Sequence, residues 1–311
     1  MEGGSTAGIK GGSAAGATLQ ADLIAVLVAV RDGTPAVLTL EDGALPSGPL
    51  VRGHRSLQAG LRAWVERTTG HPLGHVEQLY TFADRDRGEG GAEGEARAVS
   101  ISYLALTRLI PEETGWIAWY RFLPWEDRRD PAGRRAGERF GEALRHWARA
   151  APAPSEAAYR RQRVDVAFPE TGWNDELALQ RYELLYEAGL VEEAGGGRSA
   201  GLAMPRDHRR ILATGIARLR AKIRYRPVFF ELMPDQFTLL ELQEVVEALS
   251  GVALHKPNFR RLIEQQALIE DTGAVSSARG GRPAKLFRYR REVVQARAHA
   301  GSRLPTTVPP R

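Results

Sequence analysis

The chain has no cysteine, which excludes disulfides and any thiolate metal site. It lacks a secretory leader pattern and any apolar run of about 18 residues, so no membrane span is expected and a cytoplasmic location is the default. No internal repeat is visible. One stretch is short of acids where a helix ordinarily mixes charges: SLQAGLRAWVERTTGHP, residues 56–72, has Glu66 as its one carboxylate.

Against these absences stand 311 residues with 43% apolar content, enough for about two domains with cores of their own. The net charge of +5 is unevenly spread. From Met204 to Arg311 there are 20 Lys/Arg against 10 Asp/Glu, while the rest of the chain is mildly acidic. A basic C-terminal third points to a polyanionic partner.

Residues 1–17 are rich in Gly, Ser and Ala and read as a disordered arm. ADLIAVLVAV and PAVLTL read as strands joined through an Asp-Gly turn. The helix of residues 56–72 follows, opened by Ser56 as N-cap and closed by Gly70. HVEQLYTFAD and AVSISYLALTRL read as strands, with a mobile loop, RGEGGAEGEA, between them. Helices are expected around AGERFGEALRHWARA and NDELALQRYELLYEAG, the second aligning Ala178, Tyr182, Leu185 and Gly189 on one face. EEAGGGRSAG reads as a flexible connection. DHRRILATGIARLRAKIRYRP reads as a long basic helix that stops before Pro227.

This order implies an α+β protein whose first part is an α/β/α sandwich. The boundaries fall at residues 18–203 for a sensor domain, 204–227 for a connecting helix, 228–295 for a second domain and 296–311 for a flexible tail. The connecting helix is the candidate coupling element.

The first part resembles a Nudix domain, whose loop-helix-loop box supplies Glu ligands for Mg²⁺ in a pyrophosphate hydrolase. Aligned on Thr69-Gly70, the box's paired glutamates fall on Arg67 and Thr68. Its Arg-Glu pair falls on Ala63 and Trp64, and the upstream Glu on Arg55, or on His54 with the loop shifted by one. Mg²⁺ demands hard oxygen ligands, and without it neither a Lewis acid nor an activated water is supplied. The expectation is therefore no catalytic residue, no metal and no cofactor. Arg55, Arg62 and Arg67, with Glu77 on the following strand, are the candidate effector-binding residues. Guanidinium groups suit phosphate, although solvated surface arginines read equally well. Trp64, Val65, Trp116, Trp119 and Trp125 fit a core better than a base-stacking platform.

In the C-terminal part, Thr238-Leu-Leu-Glu241 is a capping box ahead of an apolar run. Leu239, Leu242, Val246 and Leu249 line one helix face, and Gly251 ends it. A second helix begins near Pro257, with Phe259, Leu262 and Ile263 inward and Arg261 opposite. Lys256, Asn258, Arg260, Arg261 and Gln265 carry the donor and acceptor types that base edges in a major groove require. SSARGGRPAKLFRYR then reads as a basic turn with Arg279, Arg282 and Lys285 and a strand with Phe287 and Tyr289 on one side. Helix-turn-helix plus basic hairpin is a winged helix, whose wing touches phosphate or a minor groove.

HVEQLYTFAD, SISYLAL, RYELLYEAGLV, DHRRILATGIARLRAKIRYRP, FELMPDQFTLLELQEVVEAL and HKPNFRRLIE together resemble the Nudix-related transcriptional regulators of the NrtR/NadQ type. The missing carboxylates resemble the NadQ-like branch. The resemblance implies a homodimeric repressor of NAD-biosynthesis genes that binds a palindromic double-stranded operator and senses a nucleotide such as NAD, ADP-ribose or ATP. Two other readings stand beside it. One is a hydrolase of ADP-ribose or a related diphosphate using Glu66, Glu77 or Asp84. The other is an adaptor whose basic tail meets RNA or protein, although Phe259, Phe287 and Tyr289 read as inward-facing rather than as RNA platforms. The degenerate box predicts that phosphate release from nucleoside diphosphates stays flat across Mg²⁺ and Mn²⁺; metal-dependent turnover would restore the hydrolase reading.

Overall fold

A near-continuous apolar strand has to be covered on both faces, and the architecture follows from that demand. β1 (Gln20–Arg31) alternates Leu23, Ala25 and Leu27 toward one layer with Ile24, Val26 and Val28 toward the other. The computed structural model describes residues 20–40, 43–50, 56–70, 75–82, 98–109, 114–197, 200–276 and 283–290. The N-terminal arm, the RGEGGAEGEA loop and the tail lie outside the described residues.

β1 turns through Asp32 and Gly33, both at positive φ (49° and 69°), into β2 (Thr34–Leu38), with Arg31 opposite Thr34. Paired positive φ values are the signature of a two-residue hairpin turn, which is why Asp-Gly sits there. β3 (Ser47–Pro49) pairs antiparallel with β1. α1 (Leu57–Thr69) follows, then β4 (Val76–Phe82), antiparallel to β5 (Ala98–Leu106). β5 runs parallel to β1, and β6 (Trp116–Ala118) pairs with β2. Among the described residues the sheet order is β4-β5-β1-β2-β6, with β3 on β1.

α1 covers one face by inserting Leu61 and Val65 among Leu23, Leu27, Leu38 and Tyr103, with Trp64 half-buried at the edge. Each such aliphatic side chain contributes about 1.5–3 kcal/mol by leaving water. The opposite face is covered by a thicker layer: α2 (Pro131–Arg149), α3 (Pro154–Ala167), α4 (Ala178–Glu187) and α5 (His208–Ile223). Trp119 and Trp125, in short 3-10 turns ahead of α2, are fully buried in this layer. α4 turns Ala178, Tyr182 and Leu185 inward, while Gly189 takes a positive φ of 68° just past its end.

α5 differs from the connecting helix read from sequence. Its buried residues include Ile211, Leu212, Ala213, Ile216, Leu219 and Ile223 together with His208, Arg209 and Arg220, a stripe too wide for a bridging helix. The His208 ring accepts a hydrogen bond from the Leu45 backbone N–H at 2.9 Å, tying α5 to the strand side. At the start of the preceding stretch, Glu193 is held in place: its carboxylate binds Arg209 and accepts from Met204 N at 3.1 Å.

Beyond a short turn (Val228–Leu232) come α6 (Leu239–Ser250), α7 (Lys256–Gln265) and a hairpin of β7 (Ile269–Ser276) and β8 (Ala284–Tyr289). Thr238 and Glu241 form both hydrogen bonds of the capping box. Phe230 stacks on Tyr289 at 3.9 Å between centroids, and Phe237 pairs by backbone with Phe287. A single apolar cluster runs from β1 through α5 to Val246, Phe259 and Ile263, so the two parts share one core. The architecture is an α/β/α sandwich carrying a winged helix-turn-helix.

Where the parts meet, Glu126 is fully buried between two fully buried arginines. Arg181 Nε and Nη2 donate to its carboxylate at 2.5 and 2.9 Å, and Arg220 binds the same group. Burial acts to raise the Glu126 carboxyl, but the charges and hydrogen bonds of Arg181 and Arg220 outweigh it and hold the group below the usual carboxylate value. A buried ion pair broken on one side leaves an uncompensated charge. Glu126→Gln is therefore expected to lower unfolding free energy by about 3–5 kcal/mol, read as a lower denaturant midpoint. Because the folded value lies below the unfolded one, the wild-type contribution is complete above the ordinary value of 4.5 and is lost as pH falls below it.

Candidate nucleic-acid interface and sensor face

α7 has two unlike sides. Phe259 and Ile263 point into the core, while Lys256, Asn258, Arg260, Arg261 and Gln265 are all exposed. Asn258, Arg261 and Gln265 stand at i, i+3 and i+7, one row opposite the buried side, while Lys256 and Arg260, one turn apart, are exposed along a different edge of the helix. Arg261 Nη1 lies 3.5 Å from Gln265 Oε1, a long contact that orders the row only weakly. On the wing, Lys285 is exposed and paired with Asp271 at 2.8 Å, so part of its charge is already answered. Arg279 and Arg282 lie outside the described residues. α6 carries Glu241, Glu244 and Glu247 and no basic residue, which polarises the domain: acidic along α6, basic on the outer side of α7.

On the sandwich, Ser56 Oγ accepts from Ala59 N at 3.1 Å and Gly70 closes α1 in the left-handed conformation. Arg62 is half-buried and Arg67 exposed. Five residues apart, they project about 140° from each other around the helix axis, so they do not converge on one phosphate from α1 alone. Arg55 lies outside the described residues. The α1 positions that a Nudix box fills with carboxylates hold Trp64, Arg67 and Thr68. Among the described residues no three His, Asp or Glu side chains gather as a metal ion would need. These residues do not fit Mg²⁺.

Glu77 lies elsewhere. It faces Leu104 in the β4–β5 register, and Leu104 belongs to the core layer under α5 rather than under α1. The structure therefore puts Glu77 on the opposite face of the sheet from Arg62 and Arg67. There it binds Lys222 of α5, with His75 Nε2 3.3 Å from Lys222 Nζ and 3.5 Å from the carboxylate. Burial acts to raise the Glu77 carboxyl, and the hydrogen bonds from Lys222 and His75 with the Lys222 charge override it, holding the group below its ordinary value. Burial and the neighbouring Lys222 lower His75.

Residues 229–289 match the profile of the NrtR DNA-binding winged helix domain family. The chain thus carries an NrtR-type winged helix domain. A stretch of 83 residues is 41% identical to the ADPR responsive transcriptional repressor NtrR of Acinetobacter baylyi; it makes up 27% of this chain and spans 33% of that protein. The structure of Shewanella oneidensis NrtR complexed with a 27mer DNA is similar over 91% of this chain and 97% of that one, at 21% identity and a TM-score of 0.52. A second structure of Shewanella oneidensis NrtR matches at 20% identity over 92% and 98% of the two chains, with the same TM-score of 0.52. At these identities the likeness is one of fold, and it extends over both the sandwich and the NrtR-type domain.

Contacts that the sequence does not announce lie between the two parts. Tyr120 and Arg220 reach from the sandwich to the last turn of α6 in the NrtR-type domain. The signal was available for Arg220: it follows Ile216 by four residues and sits between Leu219 and Ile223, a charge on an apolar stripe. Tyr120 gave no such signal.

With Lys222→Met the cation holding Glu77 down is gone and burial prevails. The Glu77 carboxyl is expected to titrate at higher pH than in the wild type, measured by NMR of the labelled side chain; an unchanged titration would show that Lys222 does not govern it.

Proposed function

We propose that this protein is a nucleotide-responsive, DNA-binding transcriptional repressor whose sandwich is a catalytically inactive Nudix-like sensor. The observation that carries the reading is the exposed row of Asn258, Arg261 and Gln265 on the outer face of α7, with Lys256 and Arg260 exposed along another edge of the same helix, in a domain of the NrtR winged-helix family. Those side chains offer guanine- and adenine-reading donors and acceptors, and Lys285 with Arg279 and Arg282 supplies a wing suited to phosphate. The relative from Acinetobacter baylyi is named as ADPR responsive, which supports ADP-ribose as the first effector to test, ahead of NAD and ATP. The target is a palindromic operator read by a homodimer, in genes of NAD biosynthesis.

Inactivity is supported by the α1 residues, which lack the carboxylates for a metal, and by Glu77, whose charge Lys222 already answers. The effector acts by linkage: it binds the sandwich differently in two arrangements of the recognition helices, and a tenfold change in operator affinity needs ~1.4 kcal/mol of that difference. Arg55, Arg62 and Arg67 are the proposed phosphate partners.

Fluorescence anisotropy with duplexes enriched from a random-sequence library tests the reading. Affinity is expected to fall steeply with salt, because each phosphate contact releases counterions, and to change on adding ADP-ribose. Arg261→Ala is expected to cost roughly 1–3 kcal/mol and to relax sequence preference while leaving the melting temperature unchanged. Wild-type affinity and preference in that variant would remove α7 as the reading element.

A further inference from the structure

The last turn of any α-helix leaves carbonyl groups without intrahelical partners. In α6 these carbonyls are taken up by the sandwich. Tyr120 Oη donates to Ala248 O at 2.6 Å, Arg220 Nε to Leu249 O at 3.0 Å, and the Arg128 backbone N–H to Gly251 O at 2.7 Å. The guanidinium also places a positive charge at the negative end of the α6 dipole. Arg220 is itself immobilised: Nη1 binds the Glu126 carboxylate and donates to Asp175 O at 3.0 Å, and Nη2 donates to Glu126 O at 3.2 Å.

The fit leaves no slack at Gly251. Its φ is +74°, and a Cβ there would stand 2.3 Å from Glu126 O and 2.9 Å from Tyr120 Oη. Beyond it, the turn into α7 is pinned back on α6. The Glu247 carboxylate accepts from Leu254 N at 2.8 Å and from Gln243 Nε2 at 2.8 Å, and Gln243 Nε2 also donates to Leu254 O at 3.2 Å. Two residues after Leu254, α7 begins.

We propose that Tyr120, Arg220 and the Arg128 backbone are positioning groups for α7: by clamping the carbonyl end of α6 they set the angle at which the recognition helix stands off the sandwich. A tether of flexible chain would leave that angle to diffusion, whereas three hydrogen bonds, one of them from the buried Arg220–Glu126 cluster, followed by a pinned turn, hold it in one place. The inference rests on the reading of α7 as a DNA-recognition helix, and it locates where a change in the sandwich would be felt by that helix.

The absence of cysteine allows a direct test. Spin labels at Glu142→Cys on α2 and Glu264→Cys on α7, both exposed, report the separation of the two parts by pulsed electron resonance. With labelled chains diluted in unlabelled ones so that each dimer carries at most one labelled chain, the unmodified clamp is expected to give one narrow distance distribution. Tyr120→Phe removes a single hydroxyl and should broaden it, and should weaken binding to the enriched duplex about tenfold, near the value of one net hydrogen bond, with the same salt slope. Gly251→Ala should broaden it further. A Tyr120→Phe protein with the wild-type distance distribution and wild-type DNA affinity would overturn the proposal. Absence of DNA binding by the wild type would instead count against the function proposed above, and the distance distribution would still decide whether the clamp holds α7.

Discussion

Glu126 carries a full negative charge in a place without water, and the two arginines that make this tolerable come from different helices. Arg181 stands on α4 and Arg220 on α5, so the carboxylate joins the helical layer to itself. Arg181 also donates to Ala167 O and Asn174 O at 3.2 and 2.9 Å, closing the ends of neighbouring segments. Arg224 extends the cluster by binding Asp175 and Glu176. Three cations and three carboxylates thus answer one another, which is the condition under which buried charge persists in a core. Such a cluster specifies one arrangement more sharply than apolar packing would, because any shift leaves a charge unpaired.

That sharpness bears on function through α6. The winged helix is attached to the sandwich by shared apolar packing, which tolerates small slides, and by the clamp on its carbonyls, which does not. On the proposed reading the sandwich senses a nucleotide and α7 reads DNA, so the joint between them has to be stiff enough to transmit a displacement. The Lys222–Glu77 contact puts α5 in touch with the edge of the sheet two residues from Arg220, and α5 is therefore held at both its sheet side and its winged-helix side. Within the winged helix the basic side chains on the exposed side of α7 stand apart from the acidic α6, which directs a polyanion to α7.

Local structure was legible wherever a short-range rule applied. The Asp32-Gly33 hairpin, the Ser56 cap and Gly70 stop of α1, the Thr238–Glu241 capping box and the inward Phe259 and Ile263 of α7 all rest on spacing of a few residues. The loss of the Nudix carboxylates was visible for the same reason, since the box is one helix long. Less legible were the positions whose meaning depends on another segment. Glu77 follows the α1 arginines on the next strand, but the pleat of β4 turns it to the other face, where α5 supplies Lys222. The place of α5 in the chain, between sensor and reader, marks it as a connector, and its wide buried stripe shows only once both parts close on it.

The order of residues alone determined the strands, the helix caps, the apolar faces and the absence of a metal-binding box, because each is an interaction within one turn or one hairpin. Only the tertiary structure decided which arginines are buried, that α5 is a core helix shared by both parts, and that the free carbonyls of α6 end on Tyr120, Arg128 and Arg220. Those outcomes depend on groups up to 163 residues apart in the chain, as Leu45 and His208 are, and a buried charge can be recognised only when the partner that compensates it has been brought alongside.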